Sequence, residues 1–158
     1  MERKRLHGLP ALARTGADSK QGIYTSESTT LTYQRLLQLT ESIINAAYPV
    51  LVDATFLKHS QRDAFRRLAI QLQTPFIIID FAASENTLRQ RIAERQQQAN
   101  DASEADVSIL EQQLRTCEPL QVDELAVSLR YDTEQPLQAS SRKESWTSIL
   151  KKLDLSDS

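Results

Sequence analysis

The sequence predicts an α/β fold built on a largely parallel sheet. Two observations predict the class. Segments with apolar residues at helical spacing alternate with short apolar runs, in the order strand, helix, strand, helix, helix, strand, helix. The runs Val50–Val52 and Phe76–Ile79 are continuous rather than alternating, as expected of strands covered on both faces. A third observation limits what such a fold holds. The chain has three glycines, Gly8, Gly16 and Gly22. None lies between a strand and a helix, where backbone N–H groups cradle phosphates.

Residues 1–13 read as a basic, weakly helical opening that ends near Pro10, and 14–30 as a loop rich in Gly, Ser and Thr. Ser28 or Thr30 supplies an N-cap for the next helix. From Leu31 to Ala47, Tyr33, Leu36, Leu37, Ile43, Ile44 and Ala47 recur at helical spacing, and Pro49 stops the helix. Residues 49–56 form the first strand. Residues 59–73 form a helix with Phe65, Leu68, Ala69 and Leu72 on one face, and 75–81 form the second strand. Ser84 caps a helix that runs through Leu88 and Ile92 to about Gln98. The polar stretch 96–106 reads as a hinge or loop. A helix over 104–116 turns Val107, Leu110 and Leu114 inward, with Ser103, Glu104 and Asp106 as cap and first-turn acids. Leu125–Tyr131 alternates as a strand. Residues 140–153 make a last helix with Trp146, Ile149 and Leu153 on one face. One domain is read over 1–153, with 154–158 as a frayed tail.

Composition narrows the function classes. No run of ~18 apolar residues predicts a membrane span. The basic start MERKRLHGLP is not followed by the apolar stretch of a secretory signal. A formal net charge of −2 argues against nucleic acid or anionic membranes as partners bound by bulk charge. Cys117 is the sole cysteine, so neither an internal disulfide nor a cysteine metal cluster is expected. His7 and His59 are far apart, which predicts no zinc site. A cytoplasmic location is expected.

The stretches ERKRLHGLP, GIY, VLVDATFLKHSQRDAFRRLA, LRQRIAERQQ and ASEADVSILEQQ follow one another in this order. Together they resemble the P-loop kinase-like domain often found C-terminal to an aminoglycoside-phosphotransferase-like domain in bacterial two-domain proteins. More broadly they are similar to the gluconate-kinase, zeta-toxin and polynucleotide-kinase group. The resemblance covers residues 1 to about 135. It implies an incomplete P-loop NTPase-type three-layer sandwich lacking its first strand, which in the family lies between the strands matching 50–54 and 76–80. The phosphate loop GxxxxGK[ST], its lysine, its Mg²⁺-holding Ser/Thr and the aspartate that acts as base in relatives have no counterpart in this sequence.

The resemblance also implies roles for particular residues. Asp53, at the end of the first strand, matches a Walker-B-like position. Arg91 and Arg95 share a face of a lid-like helix, and Arg89 lies beside them as a nucleotide contact. Lid arginines neutralise charge on a transferring phosphoryl group. Arg3 and Arg62 match positions that face the acceptor substrate. Each has a plainer reading: Asp53 as a backbone acceptor, the arginines as surface residues, and Glu111 as a solvated helix residue. The cofactors implied for the intact family are ATP and Mg²⁺, with no binding expected from this chain alone. The substrate implied is a small hydroxyl-bearing molecule. Three functions compete: a piece of an ATP-dependent phosphotransferase, an active kinase with another ATP site, and a non-enzymatic protein pairing through an exposed sheet edge. The first is preferred, with a complementing chain or self-association at the sheet gap as its partner.

Overall fold

The computed structural model describes residues 2–6, 8, 26–98, 107–134 and 143–152. Helix α1, Glu2–Leu6, packs on α2, Ser26–Asn45. Helix α3 spans His59–Gln71, α4 Glu85–Gln98 and α5 Val107–Thr116, and α6 is the single turn Val122–Leu125. Strands β1, Ile78–Ala82, and β2, Ser128–Asp132, pair in parallel, with Ile78 opposite Ser128 and Ala82 opposite Asp132. A 3-10 turn, Lys143–Trp146, leads into α7, Thr147–Lys152. The expected Ser103 cap, the hinge beyond Gln98, the loop over 14–25, the start of the last helix and the tail lie outside the described residues.

The α/β class and the parallel pairing agree with the sequence. The sheet is smaller than expected. Residues 49–56 form no strand, and Leu51 is 82% exposed. An extended segment becomes a strand only when its N–H and C=O groups find a ladder. Among the described residues no ladder forms beside 50–54. Nor is β1 covered on both faces, since Phe81 is 59% exposed. Strand β2 starts at Ser128, because Leu125 closes α6 instead.

Helix α2 begins at Ser26, ahead of both expected caps. Thr30 donates back to the Ser26 carbonyl, and Ser28 is buried inside the helix. The buried line of α2 is Ser28, Thr32 and Thr40 rather than the apolar stripe, and Ile43 and Leu31 are exposed. Thr32 Oγ1 donates to the Ser28 carbonyl at 2.7 Å, which satisfies its hydroxyl within the helix.

Helices α2 and α3 end in the same way. Ala47 N–H bonds Ile44 O and Tyr48 N–H bonds Ile43 O; Gln73 N–H bonds Ile70 O and Thr74 N–H bonds Ala69 O. These are paired Schellman closures. The residue in the left-handed region is Ala47 (φ 63°) in one and Gln73 (φ 51°) in the other. Glycine is the usual occupant, because a Cβ there costs ~1–2 kcal/mol. Pro49 and Pro75 follow immediately and prevent the helices from continuing.

Among the described residues the buried apolar ones are Phe65, Leu68, Ala69, Ile92 and Leu110. Leu114, expected inward, is exposed. Beside this small core lies an ion pair. Arg62 is 6% exposed and Glu124 only 1%. Arg62 Nε donates to Glu124 Oε1 at 2.6 Å and Nη2 to Oε2 at 2.9 Å. The remaining guanidinium donors reach the carbonyls of Phe56, Glu118 and Pro119. Glu124 also accepts the N–H of Gln121, which starts α6. The hydrogen bond from Arg62 holds the Glu124 carboxyl below its usual pKa, and the same bond raises Arg62.

Removing one partner leaves a buried charge unmatched. Glu124→Gln should therefore cost ~3–5 kcal/mol in urea unfolding. Because the folded Glu124 pKa is depressed, the pair's contribution is present above the ordinary glutamate value of ~4.3 and disappears as pH falls through the folded value. Glu124→Gln should flatten that acid limb of the stability curve. Replacing Ala47 or Gln73 by glycine should stabilise the chain by ~1 kcal/mol each, read in the same unfolding experiment.

Candidate active site

Strands β1 and β2 run in the same direction, so Ala82 and Asp132 end at one edge of the sheet. In open α/β folds ligands gather at this carboxyl edge. The chain leaves β1 through Ala83 and Ser84 into α4. Ser84 Oγ accepts the N–H of Thr87 at 3.2 Å, as the sequence predicted for its cap. The chain leaves β2 through Thr133, whose N–H and hydroxyl both bond the Ala82 carbonyl, at 2.9 and 2.8 Å.

Arg91 projects from α4 onto this edge. Its guanidinium donates to Thr133 Oγ1 at 3.2 Å and to the Thr133 carbonyl. Glu134 follows, and its carboxylate accepts the Ser84 N–H and the Thr87 hydroxyl. The Ser84 N–H, then the Thr87 hydroxyl, hold the Glu134 carboxyl below its usual range. The start of α4, where an anion is favoured, is thus occupied by the protein's own carboxylate.

The other predicted site residues separate from Arg91. Arg89 ties α4 to α5, donating to Glu85 at 2.7 Å and to Glu111 at 3.2 Å. Glu111 is therefore more than a solvated helix residue. The bond to Glu85, then that to Glu111, raises Arg89 above its ordinary pKa. Arg95 stands on α4 and Arg3 on α1, but both side chains lie outside the described residues. Asp53 is exposed and makes no hydrogen bond or ion pair among the described residues. Arg62 is neither a surface arginine nor free to meet a substrate, since all its donors are committed to protein acceptors.

The turn after Asp53 is held from both sides. Phe56 has φ 45°, a strained position for a bulky residue. Its N–H bonds Tyr33 Oη at 2.9 Å, and its carbonyl accepts from Arg62. Its ring packs edge-on to Tyr33 and Phe65, with centroids 5.3 and 5.2 Å apart. Between α1 and α2 lies a cleft of about 260 Å³, lined by Leu6, Ser28, Leu31, Gln34, Arg35 and Gln38.

Glu124, Thr133 and Glu134 were not singled out in the sequence. Glu124 carries a weak signal, an acid three residues after Gln121. Thr133 and Glu134 carry none, because their partners are 42–51 residues away. Among the described residues no three His, Cys, Asp or Glu side chains cluster to hold a metal, and no helix is long and apolar enough to cross a membrane.

A family model described as an AAA domain matches residues 1–120 of the 158. No curated protein and no solved structure matches the chain significantly. The matched span includes Asp53, Arg62, Arg89, Arg91 and Arg95, and stops short of Glu124, Thr133 and Glu134.

Glu134→Gln should speed amide exchange in the first turn of α4 while leaving global unfolding nearly unchanged. Since the Glu134 pKa is depressed, the unmodified chain should show the same loosening as pH falls through its folded value and not at neutral pH. Proton exchange followed residue by residue checks both.

Proposed function

The chain belongs to this AAA-domain family, a P-loop kinase-like group, and from that premise we propose that it supplies the lid and acceptor side of an ATP-dependent small-molecule phosphotransferase. The observation that carries the reading is Arg91, held at the carboxyl edge of a parallel sheet by Thr133. A fixed guanidinium there suits oxygens that gain charge during phosphoryl transfer to a hydroxyl. Arg95, four residues further along α4, is the second arginine assigned to the lid. Arg89 serves the lid by tying its two helices together through Glu111.

The acceptor side is assigned to the α1–α2 cleft. Arg35 and the amides of Gln34 and Gln38 can bond hydroxyls there, while Leu6 and Leu31 offer apolar contact. Arg3 stands on the same short helix as Leu6. Asp53 is assigned to the Walker-B-like role, presented by the turn that Tyr33 and Arg62 hold.

ATP and Mg²⁺ are the cofactors usual in this family, but the residues present do not fit them fully. The 158 residues contain no GxxxxGK[ST]. The α4 N-terminus, which lies at the carboxyl edge, is already capped by Glu134. We therefore assign low or no transfer activity to these residues alone.

A second reading is favoured by one observation: among the described residues, β1 has a strand on one side only. A complementing chain, or self-association, would complete the sheet there.

Calorimetry with Mg-ATP, run beside a thermal melt, tests the first reading. The expected result is no saturable binding tighter than ~1 mM. Micromolar binding with a raised melting temperature would overturn the assignment of a missing phosphate cradle. In any preparation that does transfer phosphoryl groups, Arg91→Ala combined with Arg95→Ala should lower kcat by ~10³ or more. Unchanged turnover would remove the lid role.

A further inference from the structure

One stripe of α2 lines the cleft against α1. Ser28, Leu31, Arg35 and Gln38 recur at three- and four-residue steps, and Gln34 lies beside Leu31 and Gln38. Gln34 and Gln38 are exposed, and their amides make no hydrogen bond among the described residues. Leu6 and Leu31 are exposed as well. The cleft therefore offers two free amides and two apolar contacts.

Its charge is balanced from α1. Among the lining residues Arg35 alone is charged. Arg35 Nε lies 3.5 Å from Glu2 Oε1. The same oxygen accepts Arg5 Nε and Nη2 at 3.1 and 2.8 Å. Arg5, then Arg35, hold the Glu2 carboxyl below its usual pKa, so it is charged at neutral pH.

Size and chemistry limit what fits. The volume of about 260 Å³ lies below the ~300–1,000 Å³ of sites that enclose drug-sized ligands. That suits a molecule of one small ring rather than a nucleotide or a chain of sugars. An amide has donors and an acceptor, and a hydroxyl is both at once. Gln34 and Gln38, one helical turn apart, can each meet a hydroxyl of the same molecule, while Leu6 and Leu31 cover its C–H groups. An ammonium group finds no carboxylate in the lining and is repelled by Arg35. A carboxylate or phosphate has to compete with Glu2 for Arg35.

We propose that the α1–α2 cleft selects an uncharged polyol about the size of a monosaccharide, and that Glu2 sets this choice by matching Arg35. The inference rests on the assignment of this cleft to the acceptor side and names the class of acceptor.

Binding is read without nucleotide on the full chain, from the side-chain amide signals of Gln34 and Gln38 and the methyl signals of Leu6 and Leu31. The neutral probes are glucose, galactose, mannose, sorbitol and myo-inositol. Glucuronate, glucosamine and maltose are the anionic, cationic and larger comparisons. At least one neutral probe should saturate these signals with Kd of ~10 mM or below, and at least about threefold more tightly than the three comparisons. Gln34→Leu and Gln38→Leu, both at exposed helix positions, should each weaken it about two- to tenfold. Glu2→Gln should narrow the preference over glucuronate about two- to fivefold. The two glutamine variants leave α1 untouched, so the result does not hang on Glu2. Tighter binding of glucuronate or glucosamine at the same signals would overturn the uncharged class and leave the cleft as an acceptor site. Equal affinity for maltose would overturn the size limit, and saturation that neither glutamine variant weakens would overturn the cleft as the site. If no probe moves these signals, the class and the acceptor assignment of the cleft fall together, while the Arg91 lid reading stands on its own test.

Discussion

The buried pair Arg62–Glu124 organises the half of the molecule around α3. A charged group with so little solvent contact must find its counter-charge and its hydrogen bonds inside the protein. Arg62 does so by drawing in three separate segments: the Phe56 turn, the Glu118–Pro119 stretch and α6. Among the described residues the apolar core next to it is small. Position in this region therefore comes from polar geometry as much as from packing. Glu118 repeats the theme on the surface, where its carboxylate accepts the His59 N–H and the Lys58 ammonium and is held below its usual pKa by them, the N–H first.

At the sheet, positive charge is handled in two ways along one helix. Arg89 is matched by Glu85 and Glu111 and works between helices. Arg91 bonds Thr133 at the strand ends, and, after the Ser84 N–H, its charge helps to hold the nearby Glu134 carboxyl below its usual pKa. Two arginines two positions apart thus have different partners because they project from different sides of α4. The carboxylate nearest the Arg91 end, Glu134, is engaged by the start of α4. The edge is consequently well ordered before any ligand arrives, and it is already partly filled by the protein itself.

Much of this order was legible in the sequence. The helices at 59–73 and 84–98 follow their apolar spacing, and Ser84 caps as a serine before Glu-Asn-Thr should. The parallel pairing follows from the alternation of strands and helices. The strand over 49–56 failed because an apolar run records a preference for burial, whereas a ladder needs a neighbour that the run cannot specify. The inward line of α2 failed because Ser28, Thr32 and Thr40 satisfy their burial with small size, and in Thr32 with a bond along the helix. Of the proposed site, Arg91 was visible as a lid-like residue, but its anchor Thr133 was not, since their bond spans 42 residues. Arg62 read as an acceptor-facing or surface residue because nothing local reveals that its counter-ion comes from α6.

The separation of Arg62 and Glu124, 62 residues along the chain, bears on synthesis of the protein. At ~5–20 residues per second, Glu124 is made about 3–12 s after Arg62. Helix α3 can coil in well under a millisecond, but during those seconds its arginine has no counter-ion to bury against. The nascent α3 should therefore keep that side turned to water, or to a chaperone, until α6 has left the ribosome. Closure of the region around α3 then waits on the docking of a single four-residue turn, and a ribosome that stalls before it releases a chain whose α3 is formed but whose charged side has nothing to close against.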